Sequence, residues 1–250
     1  MSRSLLATLA LGLLIAPMQQ THAADEPKAL IEKAIKAHGG EQKLAGLKAL
    51  RVKSKGTVEV LGQSLAFTSE GVQELSGKLR SELSFEVMGQ LVTVTQVFNG
   101  EKGWFKVMDN TMELEGDLLK EMKQQVYNSR VNTLVPLLKD KAFTLAPLGE
   151  LKVNGKDTQG VKVSAKDYRD IDLYFEKESG LIVKIVTVAL DSTTMKEVSR
   201  EIVFSDFKET DGLKHATKML MNQDGKKFID GEITEYKAID KPDDSTFAKP

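Results

Sequence analysis

Side chains able to do chemistry are sparse in this chain. Asp170 and Asp172 stand two apart on one strand face, as a carboxylate pair for hydrolysis would. Arg169 sits beside them in a turn region, and a solvated edge accounts for all three. His38 falls near the end of a helical pattern, where a protonated ring would suit the helix dipole. His215 lies on a late strand, and neither histidine has a carboxylate or hydroxyl at a spacing that suggests a base or a metal ligand. Gly62-Gln-Ser-Leu-Ala66 begins like a nucleophile elbow but lacks its second glycine. Zinc-protease, Walker-type and dinucleotide-binding patterns are missing. With no cysteine there is no thiolate nucleophile, disulfide or lipidated anchor. The expectation is a protein that is not an enzyme and uses no cofactor and no metal.

What remains is binding by apolar contact. Phe98, Phe105, Met122, Val126, Phe175 and Met219 are expected to line a shared interior, because strand parity or helical position turns them to the same side. Ordinary core packing is the competing reading of each. Methionine adapts to irregular ligands, and each buried methylene of a ligand is worth about 0.8 kcal/mol. Arg80 is expected to contact a lipid headgroup or a partner peptide, against the plainer reading of an exposed strand arginine. Trp104, the single tryptophan, reads as hairpin packing.

The elements that must position these residues change period along the chain. Residues 1–23 read as a cleaved leader: Arg3, the apolar run Leu5 to Ala16, Pro17, then Thr21-His22-Ala23 before the cut. Its apolar core of about twelve residues falls short of the roughly 20 that span a bilayer. Residues 24–250 are expected to form one domain. From Pro27 a helix runs to Gly39-Gly40, and a shorter one follows through Leu44 and Leu47. Residues 52–60, 65–74, 79–87 and 91–98 then read as strands bounded by glycine-bearing turns. Between Gly116 and Lys139 the period is helical, with an apolar stripe through Leu118, Leu119, Met122, Val126, Tyr127, Val131, Leu134 and Leu138. Lys120, Glu121, Lys123, Gln124 and Asn128 oppose it as the polar face, and Pro136 disturbs the last turn. Seven more strands follow, over residues 143–148, 160–165, 171–175, 181–190, 198–207, 215–221 and 229–236.

About eleven strands with helices inserted predict a mainly β (α+β) chain: a large curved antiparallel sheet forming an unclosed barrel, its helices packed on the concave face. The sequence is 41% hydrophobic and 28% charged, with a net charge of −1, which excludes a basic nucleic-acid surface at the level of the whole chain. Charges of both signs are interspersed, which favours solubility over polyanion binding.

Several segments carry a resemblance. Leu91-Val-Thr-Val-Thr-Gln-Val-Phe-Asn-Gly-Glu-Lys-Gly-Trp-Phe-Lys-Val107 resembles the hairpin of the outer-membrane lipoprotein carriers, the lipoprotein-sorting or LolA-like family: an apolar strand, an Asn99-Gly100 turn, then Trp104. Ser76 to Leu83 is similar to that family's turn and basic strand, with Gly77 where the family often has proline. Ile171 to Lys184 resembles its late hairpin, and Asp244 to Pro250 its closing Phe-x-x-Pro. The resemblance implies a half-open β-barrel with a helical lid that receives acyl chains of lipids or lipoproteins in the periplasm. Partners would be a lipid or acylated lipoprotein and membrane-bound donor and acceptor proteins, not nucleic acid, with the carrier a monomer. The alternative is a periplasmic interaction or envelope-stress sensor domain of the same fold, binding a protein partner or glycolipid.

Overall fold

The computed structural model describes residues 25–60, 62–191 and 194–250. The leader expected over residues 1–23 lies outside them. Two short helices, α1 (Asp25–Ala37) and α2 (Glu41–Gly46), precede the first strands. Those are β1 (Ala49–Val60), β2 (Gln63–Glu74), β3 (Lys78–Val87), β4 (Gln90–Phe98), β5 (Gly103–Val107) and β6 (Asn110–Leu114). The chain then passes through α3 (Gly116–Asn132) and α4 (Val135–Lys139). It returns as β7 (Phe143–Val153), β8 (Lys156–Ala165), β9 (Ile171–Glu176), β10 (Ile182–Leu190), β11 (Glu197–Thr210), β12 (Leu213–Gln223) and β13 (Lys226–Ile239). A single 3-10 turn, Asp244–Phe247, follows.

All thirteen strands join one antiparallel sheet in the order β6-β5-β4-β3-β2-β1-β13-β12-β11-β10-β9-β8-β7. The sequence reading of a curved, unclosed, mainly β fold holds. Two strands beyond the expected eleven come from β5 and β6, whose turn at Met108-Asp109 lacks the glycine that marks most of the tight turns. The order has a simple logic: β1 pairs with β13 at the centre, and two arms of consecutive hairpins run outward, β1–β6 and β13–β7. The arms end on strands that do not pair with each other, so the sheet stays open. α3 and α4 carry the chain from one free edge to the other, which places α3 across the opening. The long helix expected to Lys139 divides here, because Leu134 adopts a left-handed φ of 64° and Pro136 starts a new turn.

Parity sorts the two faces. The concave face of the second arm (Val161, Val163, Ile171, Leu173, Phe175, Ile185) packs on Ile31, Ala34 and Ile35 of α1 and on Tyr127 and Val131 of α3. This is the solid core. On the convex face of the first arm, Val72, Val97 and Trp104 pack around Phe247, so the C-terminal turn is pinned to the outside of the sheet. At the centre, Gly56 faces Gly231, where a Cβ on Gly56 would lie 2.0 Å from the Asp230 carbonyl oxygen. The missing side chains let β1 and β13 approach, and the Phe67 ring and Met219 fold over that gap. Both free edges are guarded: β6 is five residues long, and β7 carries Pro147 and a bulge between Leu148 and Glu150.

Candidate functional site

α3 settles the geometry. Leu118, Leu119, Met122 and Val126 lie against Leu79, Phe98, Phe105 and Leu114 of the first arm. On one flank of the helix this contact leaves a cavity of about 420 Å³. Its apolar wall is Phe105, Met112, Leu114, Leu118 and Met122, and Leu190 and Arg200 close it from the second arm. Gln96, Glu121 and Gln125 supply the remaining polar groups. On the other flank a cleft of about 590 Å³ runs past Phe98, Val126, Tyr127, Arg130 and Tyr168. Both lie in the size range of small-molecule sites, roughly 300–1,000 Å³.

The second arm holds α3 differently, through polar groups. The Gln124 carboxamide accepts from the Arg169 backbone N–H at 2.9 Å and donates to the Arg169 carbonyl at 3.3 Å and to Asn128 Oδ1 at 2.8 Å. Glu121 pairs with the Arg169 guanidinium, which also meets Glu197 at 3.5 Å. Beside this clamp, Tyr127 stacks on Tyr168 with ring centroids 4.3 Å apart and on Phe143 at 5.9 Å. Burial pushes the Tyr127 hydroxyl up to about 12, so it stays neutral. The face of α3 expected to be solvated is therefore partly a contact surface: Gln124 is 5% exposed. One helix thus touches the first arm through apolar side chains, and the second through both a hydrogen-bonded clamp and the buried Tyr127 and Val131.

The structure gathers four of the expected lining residues and separates the rest. Phe98, Phe105, Met122 and Val126 meet around α3, with Phe105 and Met122 on the cavity and Phe98 and Val126 on the cleft. Phe175 is buried in the solid core among Val161, Leu173 and Ile182, on the α1 side of the sheet. Met219 stands on β12, opposite Phe204 and Gly231. Arg80 lies on the convex face, where its Nη1 donates to the Thr246 carbonyl at 3.5 Å and its Nη2 pairs with Glu82. The chain's own C-terminal turn occupies the place foreseen for a headgroup or partner. Residues that sequence reasoning missed include Met112, Leu114, Leu190 and Arg200. Met112 and Leu114 show strand alternation, and the other two become neighbours of α3 only when the arms curl together.

The two histidines have structural partners. The His38 Nδ1–H donates to the Lys214 carbonyl at 2.8 Å, and Nε2 accepts from the Ile182 N–H at 3.1 Å. His215 stacks on Tyr236 at 4.2 Å, with Thr210 Oγ1 3.1 Å from Nε2 and the Ala216 carbonyl 3.0 Å from Nδ1. Burial holds both histidines below their usual range. Asp170 and Asp172 share Lys162 at 3.7 and 3.9 Å. Among the described residues no three His, Asp or Glu side chains cluster as a metal site would need. Among them also, no helix is long and apolar enough to cross a membrane.

Neither a family model nor a curated protein matches the sequence. Solved structures do match the fold. A LolA superfamily protein from Nitrosomonas europaea superposes with a TM-score of 0.56 over 89% of this chain and 97% of its own, at 12% identity. The fold is LolA-like. A DUF1329 family protein from Desulfovibrio piger matches at 0.57, over 89% of this chain and 97% of its own, also at 12% identity. A Vibrio parahaemolyticus domain named for outer membrane lipoprotein sorting matches at 0.55, over 90% and 97%, at 8% identity. At such identities the likeness establishes a LolA-like architecture and nothing of the ligand.

Proposed function

We propose that this protein is a non-enzymatic periplasmic carrier that shelters the acyl chain of a lipid or lipoprotein beneath α3. One observation carries the reading: the helix that bridges the open sheet is undercut by a cavity of about 420 Å³ with Phe105, Met112, Leu114, Leu118, Met122 and Leu190 on its walls. Phe98 and Val126 extend the apolar surface to the other flank. Each methylene sheltered there gains about 0.8 kcal/mol. Release requires α3 to move, which breaks its hydrogen bonds and ion pairs with the second arm and withdraws Tyr127 and Val131 from the apolar core there. The names of the LolA-like neighbours agree with such a role. Transfer would then run from a membrane-bound donor to an acceptor, with the leader directing export.

Met122 is 2% exposed and sits at the centre of the contact between α3 and the first arm. Met122→Glu places an unpaired charge against the cavity, which is expected to weaken uptake of a fluorescent fatty acid at least roughly tenfold. Circular dichroism of the same variant checks that the sheet persists. Undiminished uptake by a folded Met122→Glu protein would place the binding site elsewhere.

A further inference from the structure

The cavity has a charged corner that the carrier reading does not use. Arg200 sits on β11 between Thr187 of β10 and Gln223 of β12, on the concave face. Its Nε donates to Gln223 Oε1 at 3.3 Å. Its two terminal amino groups have no hydrogen-bond acceptor among the described residues, and the side chain lines the same cavity as Met122. Every carboxylate whose charge acts on Arg200 has donors of its own. Glu121 is tied to Arg169. Asp191 accepts from the Thr194 N–H at 2.7 Å, from its hydroxyl at 2.9 Å and from Gln223 Nε2 at 3.0 Å. Arg169, the other cation nearby, pairs its terminal amino groups with Glu121 and Glu197, and its buried Nε has no partner among the described residues. Burial is the largest influence on Arg200 and disfavours its charge, so an anion beside it would relieve a standing cost.

We infer that Arg200 is the headgroup anchor of the cavity and that the preferred cargo is an amphiphile with an anionic carboxylate or phosphate head. The lining joins apolar side chains of the first arm and α3 to four polar ones: Gln96 of β4 opposite Phe105, Glu121 and Gln125 of α3, and Arg200 of β11. A guanidinium presents paired N–H donors that match carboxylate or phosphate oxygens in a bidentate fork, and the two carboxamides can donate to the oxygens that remain. A cationic head would meet Arg200 directly. A neutral alcohol would offer the fork one uncharged acceptor oxygen in place of a bidentate anion.

The inference rests on the carrier reading, and its test separates the two. Dodecanoate, dodecyl phosphate, dodecanol and dodecyltrimethylammonium, each below its micelle concentration at pH 8, compete with a fluorescent acyl probe for the mature protein. Dodecanoate or dodecyl phosphate is expected to bind about tenfold more tightly than dodecanol, with the ammonium weakest. Whichever acid binds better distinguishes a fatty-acid head from a phospholipid-like one. In Arg200→Gln the ratio of acid to alcohol is expected to fall to about one, and Arg200→Lys, which keeps the charge and loses the fork, to fall between. Equal binding of acid and alcohol by the wild type overturns the anchor and leaves the carrier standing. So does tighter binding of the ammonium, or an acid preference that survives Arg200→Gln. Failure of all four probes to bind overturns the carrier reading itself.

Discussion

At the scale of single residues, two histidines couple the fold to pH. The partners of His38 require a neutral ring with its proton on Nδ1, because Nε2 must accept from the Ile182 N–H. Burial lowers the pKa of His38 and of His215 in the folded protein below the 6.5 of the unfolded chain. The unfolded state then binds protons first, so stability is complete above pH 6.5 and falls as pH drops below it. The slope is up to about 1.4 kcal/mol per pH unit for each histidine. The melting temperature is expected to fall between pH 7.5 and pH 5, and less steeply in His38→Gln; an identical melt at both pH values would contradict this. The carboxylates held low by partners, Glu176 and Asp140 among them, act in a separate window below about pH 4.5. Gly56 makes a second test, since its Cβ would collide with the Asp230 carbonyl. Gly56→Ala should cost roughly 1–3 kcal/mol in denaturant unfolding. A midpoint equal to wild type would mean the strands have room that the geometry denies. Nothing in sequence marks Gly56, because a close approach between β1 and β13 is visible only once their register is known.

At the scale of elements, α3 combines an apolar face that sequence exposes and a polar clamp that it conceals. The stripe through Leu118, Met122 and Val126 is legible from its period alone. Gln124 is not, since a glutamine on the far side of a stripe normally faces water, and its partners are backbone groups of Arg169, 45 residues away. Gln124→Ala removes an acceptor and a donor from that backbone, a loss of about 1–3 kcal/mol. Amide exchange in α3 is expected to accelerate roughly tenfold or more, while exchange in the core strands β8 to β10 stays unchanged. Uniform acceleration throughout the sheet would show that α3 opens only with global unfolding and is no lid. The β5–β6 hairpin escaped the sequence reading for a related reason: strands of five residues joined at Met108-Asp109 give little alternation to count. With it went Met112 and Leu114, half of the cavity's first-arm wall.

At the scale of the molecule, hairpin-by-hairpin order follows from short turns and alternating strands, and that much was legible. The meeting of the two arms was not. Leu190 and Arg200 reach the cavity because β1 and β13 join the arms at the centre and the sheet curls around α3, which no local pattern encodes. Phe175 illustrates the converse: the right parity for an interior position, but on the arm that α1 fills solidly. An open sheet, bridged by one helix over a greasy hollow with a cationic corner, is the physical basis of the proposed transport. Native mass spectrometry of the protein purified from its own cells, followed by lipid extraction, is the direct test. A bound population heavier than the bare chain by the mass of an acyl species is expected, lost on extraction and absent in Met122→Glu. A single mass equal to the bare chain, together with no uptake of added fatty acid or acylated peptide, would contradict it.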